Sequence, residues 1–255
     1  MTIKQSEHGR IRLLHDFTGE EINTGPDEAH ANAIGGVWNI KHGFTIKGDA
    51  LDDVQALVDS VEDGLNGQVT LTSSNLADGD AIYCTTETCF KPSVNAPMAV
   101  ECRLKMAALT ARAVFVGFTG VMADDQSDLV AGSTSTIAYT ETNLVGFLYD
   151  VGLTTDIEWH MVHSGGTTTA VTDGLLLNSG VTPVLDEMNV LRVEVDNSGT
   201  ARWYIDGELL KTLEGAVSTT AIFAGCVGAI ATDSGTSATV TVDYIAVEAE
   251  RDWTI

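Results

Sequence analysis

Residues 190–213 read VLRVEVDNSGTARWYIDGELLKTL. Leu191, Val193 and Val195 alternate with Arg192, Glu194 and Asp196, the two-residue period of a strand with one face buried and one in water. Asn197-Ser198-Gly199 supplies turn chemistry, and Ala201, Trp203 and Ile205 resume the alternation on a returning strand. Asp206-Gly207 marks a second tight turn before Leu209 to Leu213. Three short strands and two turns in one run predict an antiparallel sheet.

The same pattern extends in both directions. Met98, Val100, Cys102, Leu104 and Met106 alternate with Ala99, Glu101, Arg103 and Lys105, a half-buried strand. Ala113 to Thr119 is apolar on both faces and reads as a central strand covered on each side. Further strands are expected at Ile11 to Phe17, in a pair across Gly43 (Val37 to Lys47), and at Val69 to Leu71, Ala81 to Phe90, Leu144 to Val151, Ile157 to His163, Thr167 to Val171, Ala221 to Ala231 and Thr239 to Val247. Leu51, Val54, Val58, Val61 and Leu65 recur at spacings of three and four, so one short helix is predicted over Asp49 to Asn66, in the N-terminal quarter. Asp49 would cap it and Gly64 or Gly67 would end it. The fold class is therefore mainly β, an antiparallel β-sandwich or jelly roll with one helix. Residues 1–17 form an arm and first strand, 18–67 a loop-rich segment carrying the helix, and 68–255 the sandwich, with one domain overall.

A chain of 255 residues, 44% hydrophobic, can bury a large core. Its 36 acidic against 13 basic residues give a net charge of −23, which repels a nucleic-acid backbone and excludes nucleic acid as a partner class. The acidity suits a solvated surface, with divalent cations or a basic partner as alternatives. The apolar runs are strand-sized, so no helix is expected to span a membrane. The opening residues lack the pattern of a secretory leader, no Asn-x-Ser/Thr site occurs, and four scattered cysteines make no disulfide framework. Synthesis in a reducing cytoplasm is the expectation. Cys84 and Cys89 are spaced for a local bridge without requiring one.

Enzyme motifs are missing: no phosphate-binding Gly-rich loop, no HExxH, no GxSxG. His160 and His163 form an HxxH, but an odd offset on a strand sends the rings to opposite faces. Asp124, Asp125 and Asp128 share a loop that could hold calcium through oxygen ligands, although it lacks EF-hand spacing and reads more simply as a solvated acidic loop. Glu194 and Asp196 share a wet strand face, the spacing a retaining glycosidase needs, yet Asn197, Ser198 and Gly199 stand where a third acid would follow. Tyr149, Trp159 and Tyr204 are the candidate glycan-stacking rings, with core packing as the competing role and Trp203 pointing inward by parity. In the arm, Lys4, Arg10 and Arg12 interleave with Ile3 and Ile11, so Met1 to Arg12 is a candidate partner-contact segment that would add a strand to a neighbour, or else a frayed end.

The succession MAVECRLKM, AVFVGFTG, LVGFLYD, VLRVEVDNSGTARWYIDGELL and TVTVDYIAVEAER resembles the concanavalin A-like lectin/glucanase jelly roll, including its laminin G-like branch, over Gln68 to Arg251. The chain departs from the hydrolases by lacking E-x-D-x-x-E, and from legume-type lectins by lacking their Asp, Asn and His metal loop. What remains is similar to capsid decoration proteins of tailed bacteriophages. The resemblance implies a non-enzymatic virion protein on the capsid exterior, with no resident cofactor, bound to the major capsid protein and to itself as a homo-oligomer, a trimer being one such form. A lectin-like module for host glycans is the alternative, since this fold hosts hydrolases, lectins and structural domains alike.

Overall fold

The opening stretch folds as a meander: β14 (Asn189–Val195), β15 (Ala201–Ile205) and β16 (Glu208–Leu213) pair antiparallel. Asp206 and Gly207 both take positive φ (51° and 85°), so the two-residue turn follows the right-handed twist of its strands. This computed structural model describes residues 9–18, 23–24, 38–51, 53, 55–61, 67–110, 112–154 and 157–251.

Two antiparallel sheets face each other. The nine-stranded sheet runs β16, β15, β14, β8 (Met98–Lys105), β18 (Thr239–Glu250), β6 (Val69–Thr72), β5 (Leu57–Ser60) and β2 (Asn23–Thr24). Its ninth strand, β1 (Arg10–His15), pairs with Ile245 to Glu250 of β18, while β6 takes Thr239 to Val242. The seven-stranded sheet runs β13 (His160–Ser164), β12 (Leu144–Asp150), β9 (Arg112–Thr119), β17 (Ala224–Ala231), β7 (Ala81–Thr85), β4 (Phe44–Lys47) and β3 (Trp38–Lys41). A separate hairpin, β10 (Val130–Ser133) and β11 (Thr136–Tyr139), was not foreseen.

Parity explains the layers. On β8 the even-numbered residues from Met98 to Leu104 are buried and Glu101, Arg103 and Lys105 are partly exposed. Every residue of β9 is buried, because this strand has an apolar layer on each face. Val114, Val116 and Phe118 enter the core between the sheets, whereas Phe115 enters a second cluster on the far side. Trp203 crosses the sandwich, its Nε1–H donating to the Gly146 carbonyl of β12 at 2.8 Å. Gly146 faces Gly117 in the register, and a Cβ on either would collide with the backbone of the other strand.

The helix expected over 49–66 is not formed among the described residues there; turns lead into β5, and the one α-helix among the described residues, α1, is Pro92–Asn95. Leu51 and Val58 are buried as the apolar spacing required, but from a turn and a strand. The segment is rich in Asp and Val, poor helix formers, and Leu57 to Ser60 gain ladder bonds to Val69 to Thr72. No strand forms at 167–171 either; a 3-10 turn at Gly174–Leu177 follows instead.

The arm also differs from expectation. Arg10, Ile11 and Arg12 belong to β1, paired with Glu250, Ala249 and Glu248 of the same chain, so their backbone completes this molecule's own sheet. Ile3 and Lys4 lie outside the described residues. Deleting residues 1–12 is therefore expected to cost about 2 kcal/mol through lost pairing and exposed apolar area, lowering the thermal midpoint by about 6 °C. A calorimetric midpoint unchanged by the deletion would contradict this placement of β1.

Candidate functional site

The sandwich presents two broad faces, and they differ. The outer face of the seven-stranded sheet is sealed. Phe115, Leu148 and Val162 project from it and are met by Leu129, Ile137, Leu153 and Leu177 from the overlying loops, the β10–β11 hairpin and the 3-10 turn. Burial of these side chains drives the cover onto the sheet.

Beneath the edge of that cover lies a cavity of about 100 Å³ lined by Asp78, Asp128, Asp150, Gly132 and Gly152. Asp150 ends β12, is 2% exposed, and accepts N–H bonds from Gly132 of the hairpin and from Gly152 at 2.7 Å. Burial pushes its carboxyl up to about 6 against those two bonds, and the charges of Asp78 and Asp128 add to the effect. Burial, then Asp78, also raises Asp128. Asp150 was not singled out by sequence; its only signal is an acid closing an otherwise apolar strand.

The loop acids read together as calcium candidates are separated. Asp124 pairs with the buried Lys47 ammonium at 3.2 Å, Asp125 is exposed, and Asp128 turns to the cavity. Among the described residues no group of three or more His, Cys, Asp or Glu is placed to hold a metal ion. His160 and His163 are fully buried on opposite faces: His163 lies against Trp203 of the inner core (centroids 6.5 Å apart), and His160 beside Gly174 under the cover. All four cysteines are free thiols, Cys89 exposed and the other three buried.

The outer face of the nine-stranded sheet is open, and Arg192 organises it. Its guanidinium meets Glu194 at 2.9 Å and Glu101 at 3.1 Å, with Glu248 at 3.9 Å. These carboxylates outweigh the desolvation that would lower its pKa and raise it instead. Tyr204 donates its hydroxyl to Glu194 (3.1 Å) and Tyr244 to Glu101 (2.8 Å), so both rings are fixed in orientation. Arg103 pairs with Asp243 at 2.8 Å. Both members of the candidate E-x-D pair are thereby engaged. Glu194 holds Arg192, while Asp196 accepts from the backbone N–H groups of Ser198 and Thr200, closing the turn between β14 and β15. Despite partial desolvation, the Ser198 and Thr200 bonds and Arg202 keep the Asp196 carboxyl below its usual range.

Of the three candidate stacking rings, only Tyr204 lies on this open face. Tyr149 and Trp159 are fully buried between the sheets at a centroid distance of 5.8 Å, and the Tyr149 hydroxyl donates to the Leu109 carbonyl. Neither offers a ring face to a sugar. Both project inward because the odd-numbered residues of β12, and the approach to β13, point to the core.

No protein-family model matches the chain, and no curated protein does. Its structure is similar to a protein of unknown function from Shewanella oneidensis MR-1, with TM-score 0.57 and 12% identity over 98% of this chain and 90% of that one. It is also similar to the Emp47p carbohydrate recognition domain, with TM-score 0.50 and 11% identity over 82% and 89%. β-Agarase A from Zobellia galactanivorans matches at TM-score 0.49 and 12% identity over 95% and 93%. What these likenesses share with the chain is the fold, an antiparallel β-sandwich. At such identities the likeness establishes architecture and not activity.

Proposed function

We propose that this chain is a non-enzymatic structural protein of a virus particle, a bacteriophage decoration protein seated on the major capsid protein. The observation that supports it most is the sealed outer face of the seven-stranded sheet. A sheet that could have floored a ligand cleft instead carries a second apolar core, and the cavity at its edge, about 100 Å³, is well below the ~300 Å³ at which small-molecule sites begin. Glu194 and Asp196, the acids with glycosidase spacing, are held by an arginine and by a turn. The result is a doubly packed rigid body whose strongly acidic surface resists aggregation when crowded. Quantitative mass spectrometry of particles purified from the native source tests the reading. A fixed stoichiometric ratio to the major capsid protein is expected; absence from particles that retain their other structural proteins rejects it.

The partly exposed Tyr204, fixed by Glu194 beside Arg192, favours a second reading, a lectin-like module using the open face. It expects glycan-array binding that falls at least about tenfold in Tyr204→Ala, the loss of one stacking and hydrogen-bonding ring. A folded protein that binds nothing on the array retires it.

A further inference from the structure

The cations of this chain are unevenly placed. Of its 13 Lys and Arg, six occupy outward positions on four of five adjacent strands of the open sheet: Arg10 and Arg12 on β1, Arg103 and Lys105 on β8, Arg192 on β14 and Arg202 on β15, with β18 between β1 and β8. Five of the six pair with carboxylates of the same patch, Arg10 with Glu250 and Arg12 with Glu248, each at 3.1 Å, and Arg202 with Asp196 at 3.5 Å, besides the Arg192 and Arg103 pairs above. Six carboxylates stand there altogether, so the patch is formally neutral. Among the described residues, the twenty carboxylates outside the patch face only six cations, so the negative charge of the described chain falls away from this face.

We infer that this open face of the nine-stranded sheet is where a second copy of the chain docks, sheet against sheet. Two copies repel wherever acid meets acid, and at physiological salt that repulsion acts over about 8 Å. Only a locally neutral surface lets them reach contact. Rows of Arg beside rows of Glu are self-complementary about a two-fold axis, which presents each row to its opposite. Tyr204, Tyr244 and Arg192 stand along the patch, residue types enriched at the centres of interfaces. Five strands about 4.8 Å apart and about seven residues long offer roughly 550 Å² per copy. Two such faces bury about 1,100 Å², the lower end of specific association. The dimer is therefore expected to be wet and reversible, with a dissociation constant in the micromolar range. It needs no capsid, so it stands or falls apart from the virion reading.

Sedimentation equilibrium of the whole chain from about 1 to about 200 μM, spanning the affinities such an area supports, should show monomer and dimer. Replacing Arg12→Gln together with Lys105→Gln alters the patch by two charges, with folding checked by circular dichroism. It should weaken the dimer at least about tenfold, as loss of charge complementarity does. Thr172→Glu with Leu176→Glu changes the net charge equally on the opposite cover, where both residues are exposed, and should leave the constant within about twofold, the limit for a remote charge at physiological salt. A chain monomeric throughout, or equal weakening by both double variants, overturns the inference. So would a monomer that binds particles through Arg12 and Lys105, which would assign the face to the capsid.

Discussion

Replacing Trp203 by Ala is expected to lower the unfolding free energy by about 4–5 kcal/mol, the upper range for deleting a buried aromatic side chain. Trp203 is fully buried, stands at the centre of the stretch that reveals the fold, and joins the sheets through the Gly146 carbonyl. Its removal leaves a cavity between two strands whose glycines already bring their backbones close, so the walls have little freedom to collapse. It also removes the indole N–H bond to that carbonyl, at a further cost of about 1 kcal/mol. The thermal midpoint should drop by about 12 °C. Trp203→Phe separates the two contributions: it keeps most of the volume and loses only the hydrogen bond, so about a third of the loss is expected. Denaturant unfolding of both variants checks this, and a Trp203→Ala loss under about 1 kcal/mol would refute the role of this ring as the tie between sheets.

Stability should also fall as pH rises from about 4 to about 6. Asp150 is the cause. Its carboxyl is raised to about 6 from 3.8, so the protonated form is favoured in the folded state and ionisation above that value costs about 2–3 kcal/mol, all of it present by pH 8. Asp196 acts in the opposite window, because its carboxyl is held below its usual value and its contribution disappears as pH falls through that lowered value. The unfolding free energy should accordingly peak on the acid side of neutrality. Asp128→Asn removes one of the like charges facing Asp150 and should raise stability at pH 8 by about 1 kcal/mol, with little change at pH 4.5, where Asp150 is protonated. Urea midpoints measured across this range test it. A flat profile between pH 4 and 8, or a variant that gains equally at both ends, would show that Asp150 does not set the slope.

What was legible in the sequence shares one property: it depends on nearest neighbours in the chain. Alternation at Met98 to Met106 and Val190 to Ile205 fixes strand and face together, because successive side chains point oppositely. The doubly apolar run Ala113 to Thr119 announced a strand covered on both sides, and the structure supplies both covers. The segment 49–66 misled because spacings of three and four are met equally well by a buried Leu51 in a turn and a buried Val58 in a strand. Local periodicity cannot weigh the ladder to β6 that decides between them. Tyr149 and Trp159 were ambiguous for a related reason, since an aromatic ring suits a core as well as a sugar and only the position of the opposite sheet distinguishes the two.

By itself, then, the sequence determined that strands would form, where most of them run, which residues turn inward, and that the molecule would be strongly acidic. Tertiary structure alone decided that loops between strands fold back over the seven-stranded sheet, that Asp78, Asp128 and Asp150 meet at one cavity, and that six scattered cations gather on one neutral face. The physical reason is distance along the chain. A strand's pattern is set by steric and solvation preferences acting over a few residues. Bringing Asp78 to Asp150, or Arg10 to Glu250, depends on which strands pair and in what register, a choice made by the free energy of the whole packed core.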